Sequence, residues 1–227
     1  DEADNLREFV IESAAESDDG LTERYLEEGA LTDAEIAQGL KIGMLNRTLF
    51  PIFSGAVNKG IGVDLLLDFL VAFGPCPADL PLPVAHKEGS DEDVAIVPTD
   101  EGPLAAVVFK TISESVGDLS FVRVFSGALK SGEDVFNTSR RANERIGQIY
   151  SMNGGQREDM PAIGAGDIGA LIKLKDTHTG NTLCGKSVHL EVPPVEFPHS
   201  LIRVAVETKS RGDEDKIGTG LQHIHEE

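Results

Sequence analysis

Gly180–Ser187, GNTLCGKS, decides how the second half of this chain is read. It matches the phosphate-cradling pattern GxxxxGK[ST] letter for letter. That loop works only between a buried strand and a helix, because the phosphates rest on backbone N–H groups at a helix N-terminus. Here KLKDTHT precedes it, polar and turn-like, and VHLEVPP follows, alternating apolar and polar before two prolines. The downstream stretch therefore reads as a strand. Lys186 is expected to point from a hairpin into solvent, and the octapeptide is read as sheet rather than as a nucleotide site.

The neighbouring segments agree. LAAVVFKTIS (104–113), LSFVRVFSG (119–127), EDVFNTS (133–139), RIGQIYSM (145–152), IGALIKL (168–174) and SVHLEV (187–192) are short β-type runs separated by Gly, Asn, Asp or Ser turns. Such spacing predicts a small closed antiparallel barrel over 94–193, with Val107, Phe109, Phe121, Val124 and Ile149 facing inward.

The first third has a different texture. NLREFVIESAAE (5–16) places Leu6, Phe9 and Val10 on one helical face, and TDAEIAQGLKIGMLN (32–46) opens on a Thr32–Glu35 capping box. TLFPIFSG (48–55) reads as a short buried strand, and GVDLLLDFLVAFG (62–74) as an apolar-faced helix closing on Gly74. A strand, a glycine-bearing loop and a helix make the end of an α/β unit. Residues 75–100 are proline-rich and then acidic, the mark of a boundary. Near the other end, SLIRVAVETKS (200–210) alternates as a strand, and Asp213 caps a final helix that stops mid-element.

Composition bounds the function. The 227 residues are 40% hydrophobic, enough for real cores, and carry a net charge of −19. Residues 1–100 hold 6 basic and 21 acidic side chains, and residues 101–227 hold 14 and 18, so the excess acid sits in the first module. An acidic total argues against bulk binding of DNA or RNA, which needs net phosphate neutralisation, while leaving room for local basic clusters in the second half. The longest apolar run, LLLDFLVAF (65–73), is broken by Asp68, and no signal-peptide pattern opens the chain, so a cytoplasmic protein without a membrane partner is expected. The chain starts on Asp1, as expected of a piece of a longer protein. Cys76 and Cys184, far apart, are read as free thiols.

RVFSGALKSGEDVFN, RIGQIYSMNGGQRE, AGDIGALIKLKDTHTGNTLC and VAVETKSRGDEDKIGTGLQ, in this order and spacing, resemble elongation factor G and its translational GTPase relatives. Upstream, LTDAEIAQGLKIGMLNRTLFPIFSGAVNKGIGVDLLLDFLVAFGPCPADLP is similar to the end of that family's GTP-binding domain. The resemblance implies a multidomain chain, α/β plus all-β. It would hold the C-terminal part of a P-loop GTPase-type G domain (1–80), a linker (81–93) and a translation-factor β-barrel (94–197). The first strand and helix of a ferredoxin-like third domain (198–227) would follow. The implied parent hydrolyses GTP with Mg²⁺ to move tRNA and mRNA on the ribosome. The phosphate loop and switches would lie before Asp1, so no cofactor is expected in this stretch, and the chain alone is expected to be monomeric. A ribosome-protection or release-factor-like relative, or a non-catalytic ribosome- or protein-binding module, remains open.

Two candidate sites follow. Gly55, Ala56 and Val57 match the position of the family's last guanine-contacting loop, where a Ser usually follows the glycine; here Ala56 stands instead, and a plain turn between strand and helix is the competing reading. Arg140, Arg141 and Arg145, in SRRANERIG, sit on an expected barrel hairpin where guanidiniums can grip rRNA phosphates, the competing reading being a solvated loop partly neutralised by Glu144. Lys209, Arg211 and Lys216 alternate with acids and read as a charged loop and helix start. NGGQREDM (153–160) reads as a barrel loop, and His223 and His225, two apart on a helix, face different ways and make no metal pair.

Overall fold

The computed structural model describes residues 2–81, 84–90, 92–114, 117–209 and 212–226. They fall into two compact units divided between Leu80 and Pro81.

The first unit is helical: α1 (Glu2–Ala15), α2 (Asp19–Glu28), α3 (Asp33–Leu45) and α4 (Val63–Phe73). Local chemistry sets the boundaries. The Asp18 side chain accepts from the Leu21 amide at the start of α2, and Gly29, left-handed at φ 71°, closes it. At α3 the expected capping box is present, with the Thr32 amide donating to Glu35 Oε2 at 2.8 Å and the Glu35 amide to Thr32 Oγ1. α1 and α3 meet through small residues: Ala14 and Ala15 are buried, and a Cβ at Gly39 would lie 2.2 Å from the Ala14 carbonyl oxygen. Many of the large apolar side chains stay outside. Leu6, Phe9 and Leu65 are exposed, and the 48–55 segment expected as a buried strand is irregular, with Ile52 93% exposed. A strand needs a ladder partner for its N–H and C=O groups, and none lies beside 48–55 among the described residues.

The second unit is built on sheets. Its strands are β1 (Val84–Lys87), β2 (Asp93–Ala95), β3 (Ala105–Glu114), β4 (Gly117–Ser126), β5 (Leu129–Lys130), β6 (Asp134–Asn137), β7 (Ala142–Arg145), β8 (Ile149–Asn153), β9 (Gln156–Met160), β10 (Ala162–Ile163), β11 (Ile168–Ile172), β12 (Thr182–Cys184) and β13 (Leu190–Glu191). Eight of them form one antiparallel sheet in the order β7-β6-β12-β3-β4-β11-β8-β9. Val135 of β6, Leu183 of β12, Val108 of β3, Val122 of β4, Leu171 of β11 and Ile149 of β8 meet in one buried cluster with Leu104, Leu129 and Ile146 from neighbouring segments. The sheet therefore curls around a single interior, with the separate pair β5–β10 contributing Leu129 and Ile163. The eight-stranded ladder leaves β7 and β9 as its ends, so among the described residues hydrogen bonding alone does not close the barrel.

The inward set differs from the expected one. Val124 and Ile149 face the interior, but Val107 is buried on the opposite face and Phe109 is 39% exposed. The cause is the phase of the alternation: Ala106 and Val108 point inward, so Val107 and Phe109 point outward, and the β-bulge at Phe109, with Val108 paired to Val122 and Lys110 to Phe121, changes the phase only beyond it. Phe121 stands beside Phe109 with ring centroids 6.3 Å apart, while Ala106, Val108 and Val122 fill the interior.

Val84–Lys87, inside the 81–93 stretch expected as a linker, is the middle strand of a small sheet ordered β13-β1-β2; Leu82, Pro83 and Asp91 lie outside the described residues. Its Ala85 packs with Ile96, Leu190 and Val192 on Ala105 and Val107, forming a second core on the outer side of β3. Buried hydroxyls fasten it: Thr138 Oγ1 donates to the Leu190 carbonyl at 2.7 Å, and Thr182 Oγ1 accepts from the Val192 amide.

Of the expected third domain, only the helix is regular, α5 (Glu214–Glu226). Residues 200–209 form no strand, and Leu201, Ile202 and Val204 are exposed; Ser210, Arg211 and Glu227 lie outside the described residues. No helix among the described residues is long and apolar enough to cross a membrane.

Candidate nucleic-acid interface

The GKS triplet is a turn that follows a strand, not a phosphate loop. Thr182–Cys184 is an interior strand bonded to β3 on one side and β6 on the other, and no helix follows it. Lys186 is half-exposed and its Nζ lies 3.3 Å from Asp134 Oδ2. Cys184 is buried, which pushes its thiol pKa up and leaves it a poor nucleophile; Cys76 is exposed.

The arginine cluster lies on the β6–β7 hairpin, where alternation sorts the side chains. Asp134 pairs with Arg145 and Val135 with Glu144, so Val135 and Glu144 go inward while Asp134 and Arg145 face out. Arg140 and Arg141 occupy the turn. The Arg140 amide donates to Asn137 Oδ1 at 3.0 Å, and Arg141 adopts the left-handed conformation at φ 53°. All three arginines are exposed. Arg145 Nη1 lies 3.0 Å from Asp134 Oδ1, and Arg141 Nε 3.3 Å from Glu88 Oε1. The Arg140 guanidinium makes no ion pair among the described residues.

Glu144 does something other than neutralise its neighbours. It is 3% exposed and accepts from the Lys175 and Asp176 amides and from Thr177 Oγ1. Asn137 Nδ2 donates to Thr177 Oγ1 and Asn181 Oδ1. The two side chains thereby pin the 175–181 loop onto the hairpin from inside. Around the hairpin's outer face stand Lys186, expected to point into solvent, and Asp134, Glu88, His189 and Phe136, which sequence reasoning passed over. Lys186 and Arg145 share Asp134, whose carboxyl is held below its usual range first by Arg145 and then by Lys186. Glu88 also meets His189 Nδ1 at 2.6 Å, and the His189 ring stacks on Phe136 with centroids 4.1 Å apart. Pairing of β12 with β6 and of β13 with β1 brings these groups to the hairpin, so no sequence window contains them.

The match to known domains falls on this same ladder. Residues 117–184 match elongation factor Tu domain 2. The matched span runs from the first residue of β4 to the last of β12 and so contains the whole β6–β7 hairpin. A crystal structure of a protein from Thermus thermophilus superposes with a TM-score of 0.75 over 98% of this chain at 25% identity. The present chain spans 31% of that protein's length. The first match marks the barrel strands as similar to a translation-factor domain, and the second shows that the fold of nearly the whole chain is shared with a larger protein.

The other candidate loop is tightly closed. Gly55–Val57 precedes a 3₁₀ turn (Val57–Lys59), and the Ala56 amide donates to the Ile61 carbonyl at 3.0 Å. A Cβ at Gly55 would lie 2.9 Å from that same oxygen, so the closure needs glycine. The Ala56 N–H is thus engaged inside the loop, and Val57 is exposed beside it. Among the described residues no three His, Cys, Asp or Glu side chains are grouped to hold a metal ion.

Proposed function

We propose that this chain belongs to an elongation factor G-like translational GTPase and that its barrel is the element that docks the factor on ribosomal RNA. The observation that carries the reading is the coincidence of two features on one ladder: the elongation factor Tu domain 2 match over 117–184, and, inside it, a hairpin with Arg140 and Arg141 in its turn and Arg145 on its outer face, with Lys186 nearby. Guanidiniums grip phosphate oxygens in pairs, and a helical RNA presents its phosphates in rows. On this reading residues 1–80 are the end of a G domain, whose sheet would cover the exposed apolar side chains of Phe50, Ile52 and Leu65. Gly55–Val57 would be its guanine-facing loop. GTP and Mg²⁺ belong to the parts of the factor that carry the phosphate loop, and the cytoplasm is where such a factor would act.

The test is a salt series of binding to small ribosomal subunits with the wild-type chain and the Arg140→Glu/Arg141→Glu double variant. The wild type is expected to bind weakly, because a chain of net charge −19 gains little from counterion release. The variant should bind more weakly still, with a shallower salt slope. Equal affinities and equal slopes would remove the hairpin from the interface. GTP turnover by the chain alone should stay at background and be unchanged by Lys186→Ala, since that lysine sits beside a strand and pairs with Asp134.

A further inference from the structure

The cations of the hairpin are already partly occupied. Glu88, on the turn between β1 and β2, holds Arg141, and Asp134 holds both Arg145 and Lys186. We infer that Glu88 and Asp134 are built-in competitors for the hairpin's anion site, an autoinhibitory contact in which a phosphate oxygen must replace a carboxylate oxygen before the cations can bind a polyanion. The inference rests on the reading of this hairpin as a docking surface.

Three observations carry it. The cations are solvent-facing, with Arg141 77% exposed and Arg145 69% exposed, so these are pairs of the weak, exchangeable kind. The carboxylates are less exposed than the arginines they hold, and their backbones are fixed by the β1–β2 turn and by β6, so the cations can swing outward while the acids stay. Finally, Glu88 keeps a second partner, His189 Nδ1 at 2.6 Å, and is not left bare when Arg141 departs. Asp134 differs, because the two cations that hold its carboxyl, Arg145 and Lys186, are themselves members of the site. Release of Arg141 is therefore the easier step, and the Asp134 pairs withhold more charge.

The experiment compares Glu88→Gln, Asp134→Asn and, as a control for net charge alone, Asp159→Asn on β9. Each is titrated with a short RNA duplex and, separately, with inorganic tripolyphosphate, with thermal melts confirming that the barrel is intact. The expected result is tighter binding of both probes, by about threefold for Glu88→Gln and about fivefold for Asp134→Asn, the range an exposed ion pair supports, with little change for Asp159→Asn. An equal gain in Asp159→Asn would reduce the effect to overall charge and overturn the inference. RNA binding that depends on Arg140 and Arg141 but ignores Glu88 and Asp134 would overturn the inference and leave the docking reading standing. A gain with tripolyphosphate in a chain that binds no RNA would do the reverse.

Discussion

The two units treat their apolar side chains in opposite ways, and the helical one, richer in apolar residues, leaves more of them in water. The barrel takes Leu119, Val122, Val124, Ile149, Leu171 and Leu183 almost wholly out of water, whereas residues 1–80 bury Ala14, Ala15 and Leu21 and leave Phe9, Phe50, Ile52, Leu65 and Val71 exposed. A sheet that curls on itself covers its own inner face, so its stability is internal. Helices that meet through alanine and glycine approach closely but enclose little, and their apolar stripes await another surface. The difference teaches where stability and where docking reside: the barrel is a finished scaffold that displays charge, and the helical unit displays apolar surface.

The largest expected effect comes from paired truncations. Leu183→Ala removes a fully buried side chain from the barrel interior and should cost about 3 kcal/mol in urea unfolding. Leu67→Ala, on an exposed part of α4, should change stability by about 0.5 kcal/mol or less. Comparable losses would break the contrast between the units. Next comes Glu144→Ala, which strips the partners from the Lys175 and Asp176 amides and the Thr177 hydroxyl. A cost of about 2 kcal/mol is expected, read as a lower barrel melting temperature together with faster amide exchange over 175–181. Preserved protection of that loop would show that Asn137 alone anchors it.

The smallest effect belongs to the first unit. The Asp79 carboxyl accepts from the Cys76 amide and pairs with Lys41 at 2.9 Å, and these hold its pKa at about 2. A depressed carboxylate stabilises the fold above its unfolded value near 3.8 and loses that contribution as pH falls towards 2. NMR titration of the Asp79 carboxyl carbon should show the low midpoint, and Lys41→Ala should raise it. An unchanged midpoint in that variant would assign the shift to the Cys76 amide alone.

Local chemistry is legible in the sequence, and long-range pairing is not. The Thr32–Glu35 box spans three residues and can be read directly. Alternation marks the barrel, and the flanks of GNTLCGKS mark its strand character. Alternation alone leaves the phase open: LAAVVFKTIS alternates whether Val107 and Phe109 or Ala106 and Val108 point inward, and the choice is made by pairing of Ala106 with Val124 and Val108 with Val122, which no window around that segment contains. The strand at 84–87 is hidden because one of its partners, Leu190–Glu191, lies about a hundred residues away. At the candidate site the arginines are visible, but the role of Glu144 is not, since its inward direction is set by pairing with Val135. Glu88, Lys186 and His189 come from separate segments that only the fold assembles.

Hydrogen exchange of the chain with and without small ribosomal subunits compares the two units in a single measurement. Slower exchange over 134–145 and 186–190, with residues 2–45 unaffected, is the predicted result. Protection confined to the helical unit, with the hairpin exchanging as fast as in the free chain, would contradict the assignment of docking to the barrel.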